Sequence, residues 1–292
     1  MSSQIAVARR ADVSIQRMRE LRYRTVVYGL LIGGSIVFSM PFFWMMSMAL
    51  KSSDQIFIFP PVWLPNPVRW ENFSEGWTKY FPFNQFLLNT VIITGNNVVG
   101  NLVSCTIAAY GFARLRVRES DFLFALVLAT MMVPEQVTMI PVYYLFSKLG
   151  WVNTFLPLMV PSWFGYPFFI FLLRQFFMTL PRDLDDAARI DGCTTWGILY
   201  RILLPLSKPA LTAVAVFAFI RNWNNFLYPL IYLNDMEKYT LQLGLNMYRG
   251  QYYSEYHYMM AVAILVLIPV VVVFFVAQKQ FIQGIALTGI KG

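Results

Sequence analysis

The chain has 292 residues, 58% of them hydrophobic and 13% charged, with a formal net charge of +8 at pH 7 and a mean hydropathy of +0.54. Folding would leave much of that apolar surface in water, which argues against a soluble globular domain, and no alternating strand-length pattern dominates, which argues against an outer-membrane barrel. The basic residues cluster beside hydrophobic runs rather than on one soluble face, so the positive charge reads as membrane topology and not as a nucleic-acid footprint.

Taken in chain order, residues 1–25 carry Arg9, Arg10, Arg17, Arg19, Arg22 and Arg24 ahead of a first apolar run over 26–50. That run exceeds a secretory signal core and further runs come after it, so it predicts a retained membrane helix with a cytosolic N-terminus. Residues 51–85 hold Pro60, Pro61, Pro65, Pro67 and Pro82 with Trp63, Trp70 and Trp77, and predict an irregular extracytoplasmic loop lying against the bilayer. The core, 86–277, predicts five more spans: 86–112, 122–146 with kinks at Pro134 and Pro141, 154–177, 206–232 and 258–277, with a tail over 278–292. Basic residues favour one side: Arg114, Arg116, Arg118, Arg174, Arg182, Arg189, Arg201, Lys208, Lys279 and Lys291 with the N-terminal arginines, against Lys51, Arg69, Lys79, Lys148, Lys238 and Arg249 on the other. The positive-inside rule then places both termini in the cytoplasm. Cys105, Cys193 and the lone His257 offer neither a disulfide framework nor a metal site.

Several polar residues fall inside the predicted spans. Asn89, Asn96, Asn97 and Asn101 cover an arc of roughly 140° on the second helix. Amides facing lipid would be costly, so this face turns into the bundle, either for interhelical hydrogen bonds or to line a path. Gly95 and Gly100 suit close helix packing. Glu135 beside Pro134 is a candidate for solute contact; its alternatives are a protonated carboxyl or a partner for backbone amides freed by the kink. Arg221, Asn222, Trp223, Asn224 and Asn225 form the densest polar and aromatic patch in any span. Such a patch offers a sugar both a ring to stack on and groups for its hydroxyls. Arg221 lies roughly 20 Å along its helix from Lys208, so the patch reads as path lining, with packing against a partner as the alternative.

Between the fourth and fifth spans lies a polar segment, 178–205. Pro181 followed by Asp183, Asp185 and Asp186 suits a helix start, Gly192 suits its stop, and Thr194 or Thr195 can cap a second helix bearing Trp196, Ile198 and Leu199. Small Ala187, Ala188 and Gly192 would let another protein approach closely; a plain connector is the other reading. Here the chain resembles the inner-membrane permease subunits of bacterial ABC importers. Their pattern is Glu-Ala-Ala-x-x-x-Gly, nine residues, then Ile-x-Leu-Pro, matched by Asp186, Ala187, Ala188, Gly192, Ile202, Leu204 and Pro205, with Asp in place of Glu. Ala108 to Arg114, Met139-Ile140-Pro141, Phe171 to Phe177, Trp223 to Leu227 and Lys291-Gly292 extend the resemblance to the carbohydrate branch, in particular the second permease of maltose-type transporters.

The resemblance implies an all-α, six-helix type I importer permease in a bacterial or archaeal inner membrane. It implies a homologous second permease, two ATPase subunits carrying ATP and Mg, an extracytoplasmic solute-binding protein and a carbohydrate cargo, with no cofactor in this chain. ATPase coupling would fall to Asp186, Ala187, Ala188, Asp191, Gly192, Ile202, Leu204 and Pro205. Candidate path residues are Arg221, Asn222, Trp223, Asn225, Asn89, Asn96 and Glu135. The 234–257 loop, with Gln242, Asn246 and Arg249, would face the receptor, or else form an interfacial tyrosine belt. Two rival readings are a stand-alone secondary transporter and an intramembrane enzyme using Glu135 or Asp191. The sequence shows no internal repeat for the first, no H-E-x-x-H or paired intramembrane carboxylates for the second, and no P-loop.

Overall fold

A computed structural model describes residues 2–115, 117–249 and 255–289, the side chains of 2–18 and 279–289 excepted. The first helix, α1 (Ser2–Ala49), contains the apolar stretch Arg19–Ala49, long enough to cross a bilayer and left uncovered by the rest of the chain. A helix hydrophobic all round suits lipid. Only its last turns, at Met45, Met46 and Ala49, pack onto Ala261 and Ile264. The loop after α1 has no charged residue from Gln55 to Val68. It folds back along α1: Trp63 meets Trp44 edge-on at 5.2 Å and its carbonyl accepts the Ser47 hydroxyl at 2.6 Å. Trp44 lies about 8 Å below the end of α1 at 1.5 Å per residue, so Trp63 reaches membrane depth, with Phe57, Phe59 and Leu64 exposed nearby in sequence. Asn72, at the start of α2 (Glu71–Thr78), ties the loop down by donating to the carbonyls of Ala49 and Lys51 at 2.9 and 2.8 Å.

The central element is α3 (Phe83–Arg114), which packs against most of the later helices. The predicted third span is not a kinked helix but two helices, α4 (Ser120–Thr130) and α5 (Glu135–Lys148), meeting at 94°. Pro134 sits extended at φ −59°, ψ 133°, and a proline disfavours helical backbone in the residue before it; Pro141 lies inside α5 without ending it. The fourth span is also interrupted. A short α6 (Leu156–Met159) and a 3-10 turn over Val160–Phe164 lead to Gly165, whose φ of 89° favours glycine, before α7 (Pro167–Thr179).

After α7 come α8 (Asp183–Ile190), α9 (Thr195–Ile198), a π-turn over Leu199–Leu203 and α10 (Leu204–Leu206). An 81° bend leads into α11 (Lys208–Trp223). The predicted fifth span therefore ends at Trp223, and α12 (Leu227–Tyr232) is a separate helix. Two further helices, α13 (Leu241–Met247) and α14 (Tyr256–Gly289), complete the described fold. Four described helices are long and apolar enough to span, and the two bent pairs raise the number to six.

The principal core joins α3, α7, α11 and the segment after α8 through Cys105, Leu173, Phe177, Ile198, Leu203 and Val214. A second core stacks Phe83, Tyr248, Trp223 and Val262. Of the two glycines noted on α3, Gly100 is closely covered by Ser162 and Trp163, whereas Gly95 has no atom within 4 Å of an added Cβ. At Gly244 a Cβ would fall 2.5 Å from the fully buried Phe86 ring, which has no room to move aside. Gly244→Ala should destabilise the purified protein by about 1–3 kcal/mol, the usual scale of overpacking, while Gly95→Ala leaves detergent thermal unfolding unchanged.

Candidate functional site

Two sites emerge, one at the C-terminal end of α3 and one against its middle. The first is the bracket formed by residues 183–205. Helix α8 begins two residues after Pro181, with Arg182 as its N-cap and Asp183, Asp185 and Asp186 in its first turn. Asp185 turns inward and meets Arg114, the last residue of α3, at 3.3 Å; the two side chains are 9% and 2% exposed. Arg114 also donates to the carbonyls of Phe177 and Leu180 at 2.7 and 3.0 Å. A residue that reads as a basic flank in sequence is thus the buried post holding the bracket. Gly192 turns the chain at φ +79° with open space around it, and Thr194 caps α9 by accepting the Gly197 amide at 3.2 Å. Tyr110 adds a second tie, its hydroxyl donating to the Thr195 carbonyl at 3.0 Å.

The matched motif divides by direction. Ala188 is buried, and Ile202 and Leu204 pack against the core. Asp186, Ala187, Asp191, Gly192 and Pro205 face outward. Beside them stand two apolar side chains that the motif did not single out, Ile190 at 86% exposure and Tyr200 at 60%, together with Trp196, which stacks on Tyr200 at 6.3 Å.

The second site is an open cavity of about 550 Å³ between α3, α5, the 157–166 break, α11 and α12. Glu135 and Arg221, far apart in sequence, meet there: Arg221 Nη2 donates to Glu135 Oε1 at 2.8 Å, and the Tyr228 hydroxyl donates to Oε2 at 3.0 Å. The Arg221 guanidinium lies 3.9 Å from the Tyr166 ring centroid. Glu135 thus finds its side-chain partners in a guanidinium and a phenol rather than in the backbone amides beside Pro134. Asn222 and Asn225 also line the cavity. Asn222 accepts from Asn97 at 2.6 Å, and Asn225 accepts the Tyr228 amide at 3.3 Å.

Three of the sequence-derived path candidates lie elsewhere. Trp223 is 3% exposed; it stacks on Phe219 and donates to the Val266 carbonyl at 3.0 Å, away from the cavity. Asn89 is buried and donates to the carbonyls of Glu237 and Tyr239 at 2.7 and 3.0 Å. Asn96 donates to the Met159 carbonyl and accepts from Trp163. Conversely, the cavity is also lined by Asn97, Asn101 and Asn224, members of the amide arc and the polar patch, and by Tyr166, Tyr228 and Tyr232, which the sequence did not single out. The amide arc and the polar patch signalled the first three, but no local signal pointed to the tyrosines.

Beside the cavity, α13 carries Gln242, which reaches Asn224 at 3.4 Å, and the exposed Asn246; exposed Arg249 comes just after it. Tyr248 is buried and stacked on Phe83, so it forms no interfacial belt. Residues 250–254 lie outside the described part. Hydrogen bonds from Lys238 at 2.8 Å and Asn153 at 2.7 Å clip the turn after α12 and hold the Asp235 carboxyl below its usual range.

Residues 100–287 match the family described as the binding-protein-dependent transport system inner membrane component. The probable ABC transporter permease YurM of Bacillus subtilis is 31% identical over 88% of this chain and 85% of its own. The arabinooligosaccharides transport permease AraQ of Halalkalibacterium halodurans is 35% identical over 78% of this chain and 81% of its own. A crystal structure of a bacterial ABC transporter that imports the acidic polysaccharide alginate shares the fold, with TM-score 0.77 and 24% identity over 88% of this chain and 96% of that one. The chain belongs to the binding-protein-dependent transport system inner membrane component family. It is a membrane-embedded ABC importer permease that works with an extracytoplasmic binding protein, and ATP hydrolysis resides in a separate subunit. The enzyme and stand-alone transporter readings fall away.

Because the Arg114–Asp185 pair is buried, removing one partner strands the other charge. Asp185→Ala should cost about 3–5 kcal/mol in thermal unfolding. The neighbouring Asp186 is exposed, and its only ion pair among the described residues is a 3.8 Å contact with Arg189. Asp186→Ala should stay within about 0.5 kcal/mol.

Proposed function

We propose that this chain forms half of the translocation path of a carbohydrate importer, with the cavity as its solute-contacting surface and the 183–205 bracket as its contact with the ATPase. The observation that carries the reading is the cavity's chemistry. Asparagine amides suit sugar hydroxyls, tyrosine rings suit the apolar faces of pyranoses, and a volume of about 550 Å³ lies within the usual range of small-molecule sites. The arabinooligosaccharide cargo of the AraQ relative supports a saccharide.

In this reading a homologous second permease supplies the facing half of the path. Two ATPase subunits bind ATP with Mg, and each receives one bracket in a surface cleft. Asp186, Ala187, Asp191, Gly192, Ile190, Trp196 and Tyr200 make the contact, while Ala188, Ile202, Leu204 and the Arg114–Asp185 pair hold the bracket to α3. The basic flanks put both termini on the ATPase side. Gln242, Asn246 and Arg249 then lie on the face that meets the binding protein. ATP-driven closure of the ATPases moves the brackets, and the bundle moves with them as a rigid body because the bracket's inner face is part of its core.

The test is reconstitution of the co-purified complex in proteoliposomes with a library of oligosaccharide-loaded binding proteins. The expected result is saccharide uptake that requires ATP, with hydrolysis stimulated by the loaded binding protein. Ile190→Asp should lower stimulated hydrolysis about tenfold or more, the scale of an interface hot spot, with membrane insertion unchanged. Uptake insensitive to ATP, or stimulation unaffected by Ile190→Asp, would overturn the importer or the coupling reading respectively.

A further inference from the structure

Glu135 and Arg221 are the only charged residues among the described lining of the cavity, and they occupy each other. An arginine alone in such a cavity would be a ready receptor for a carboxylate, because its planar fork matches two oxygens at once. Here one guanidinium nitrogen is committed to Glu135 Oε1 at 2.8 Å and one face is covered by Tyr166. Glu135 is itself fixed from two further directions. It is the first residue of α5, held in place by the extended Pro134, and its second oxygen takes the Tyr228 hydroxyl at 3.0 Å. A carboxylate entering the cavity would have to displace Glu135 from Arg221 and then lie beside a carboxylate of its own charge. A neutral sugar faces no such exchange and meets amides and rings.

We propose that Glu135 sets the charge preference of this cavity: by engaging Arg221 it favours uncharged, polyhydroxylated saccharides and discriminates against uronates. The inference rests on the cavity being the solute path, and it narrows the cargo from carbohydrates at large to neutral ones. Glu135 acts as a specificity-determining residue, Arg221 as the group it masks, and Tyr228 as the residue that positions it.

The test titrates the purified complex, in nanodiscs and without its binding protein, with a neutral and an acidic probe of equal length, maltotriose and trigalacturonate. Leaving out the binding protein keeps its own selectivity from masking that of the path. Wild type should bind maltotriose about tenfold or more tighter, the scale of one charge-assisted hydrogen bond. Glu135→Gln should bring the two probes within about threefold of each other through a salt-sensitive gain for trigalacturonate, and Glu135→Gln with Arg221→Gln should abolish that gain. Arg221→Gln alone, which leaves the carboxylate bare, should weaken trigalacturonate further. Should the Glu135→Gln complex fail to assemble, Tyr228→Phe loosens Glu135 without changing charge and should shift the ratio in the same direction by about twofold. Maltotriose binding with a ratio unmoved by these variants would overturn this proposal and leave the path reading standing. Binding of neither probe to wild type at about 20 mM, well above the millimolar affinities of weak ligands, would overturn both.

Discussion

Lipid offers no water to a broken helix, and this constraint organises the whole molecule. Where spans break around the polar cavity, each freed amide or carbonyl needs a partner from within the protein. Helix α3 supplies them. Asn97 and Asn96 donate to the Leu158 and Met159 carbonyls, and Ser104 donates to that of Ser162. Cys105 accepts the Tyr166 amide at 3.2 Å, Asn89 takes the carbonyls of Glu237 and Tyr239, and Thr90 accepts the Leu241 amide. The polar face of α3 is chiefly a set of backbone partners for irregular segments, of which the 157–166 break walls the cavity. Only its middle, at Asn97 and Asn101, reaches the cavity itself.

The same helix joins the two sites. Asn97 lies at the cavity and Arg114 at the bracket, about 26 Å apart along a continuous helix at 1.5 Å per residue. At the far end the bracket is held by a buried ion pair, two arginine-to-carbonyl bonds and the Tyr110 hydroxyl, and its inner residues share a core with α7 and α11. Under the importer reading, a push on the bracket moves these helices together, because close-packed cores shift as bodies rather than deform. At the cavity, Glu135 of α5, Arg221 of α11 and Tyr228 of α12 are tethered to one another.

Much of this was legible along the chain. The spans follow from hydropathy, and the bracket follows from a local pattern of acids, small residues, glycine and proline, whose helix, turn, cap and second helix all form. The motif's spacing also separates inner from outer faces once the helices are in place. Other features depended on neighbours that one segment cannot reveal. Trp223 and Asn225 sit in one polar patch, yet one is buried against α14 and the other lines the cavity, because α11 ends between them. Asn89 and Asn97 share a helix face, but each answers to a different irregular segment.

The sequence by itself determined that this is a polytopic helical membrane protein of the binding-protein-dependent importer family with an exposed bracket between its spans, because hydrophobic length, charge placement and a contiguous motif are local properties. Only the tertiary structure decided that Glu135 and Arg221 form one pair, that Tyr166 and Tyr228 flank it, and that Arg114 is a buried post rather than a surface flank. Those facts depend on where broken helices bring distant residues together, and a local stretch of sequence does not specify which distant segment supplies the partners that freed backbone needs in a membrane.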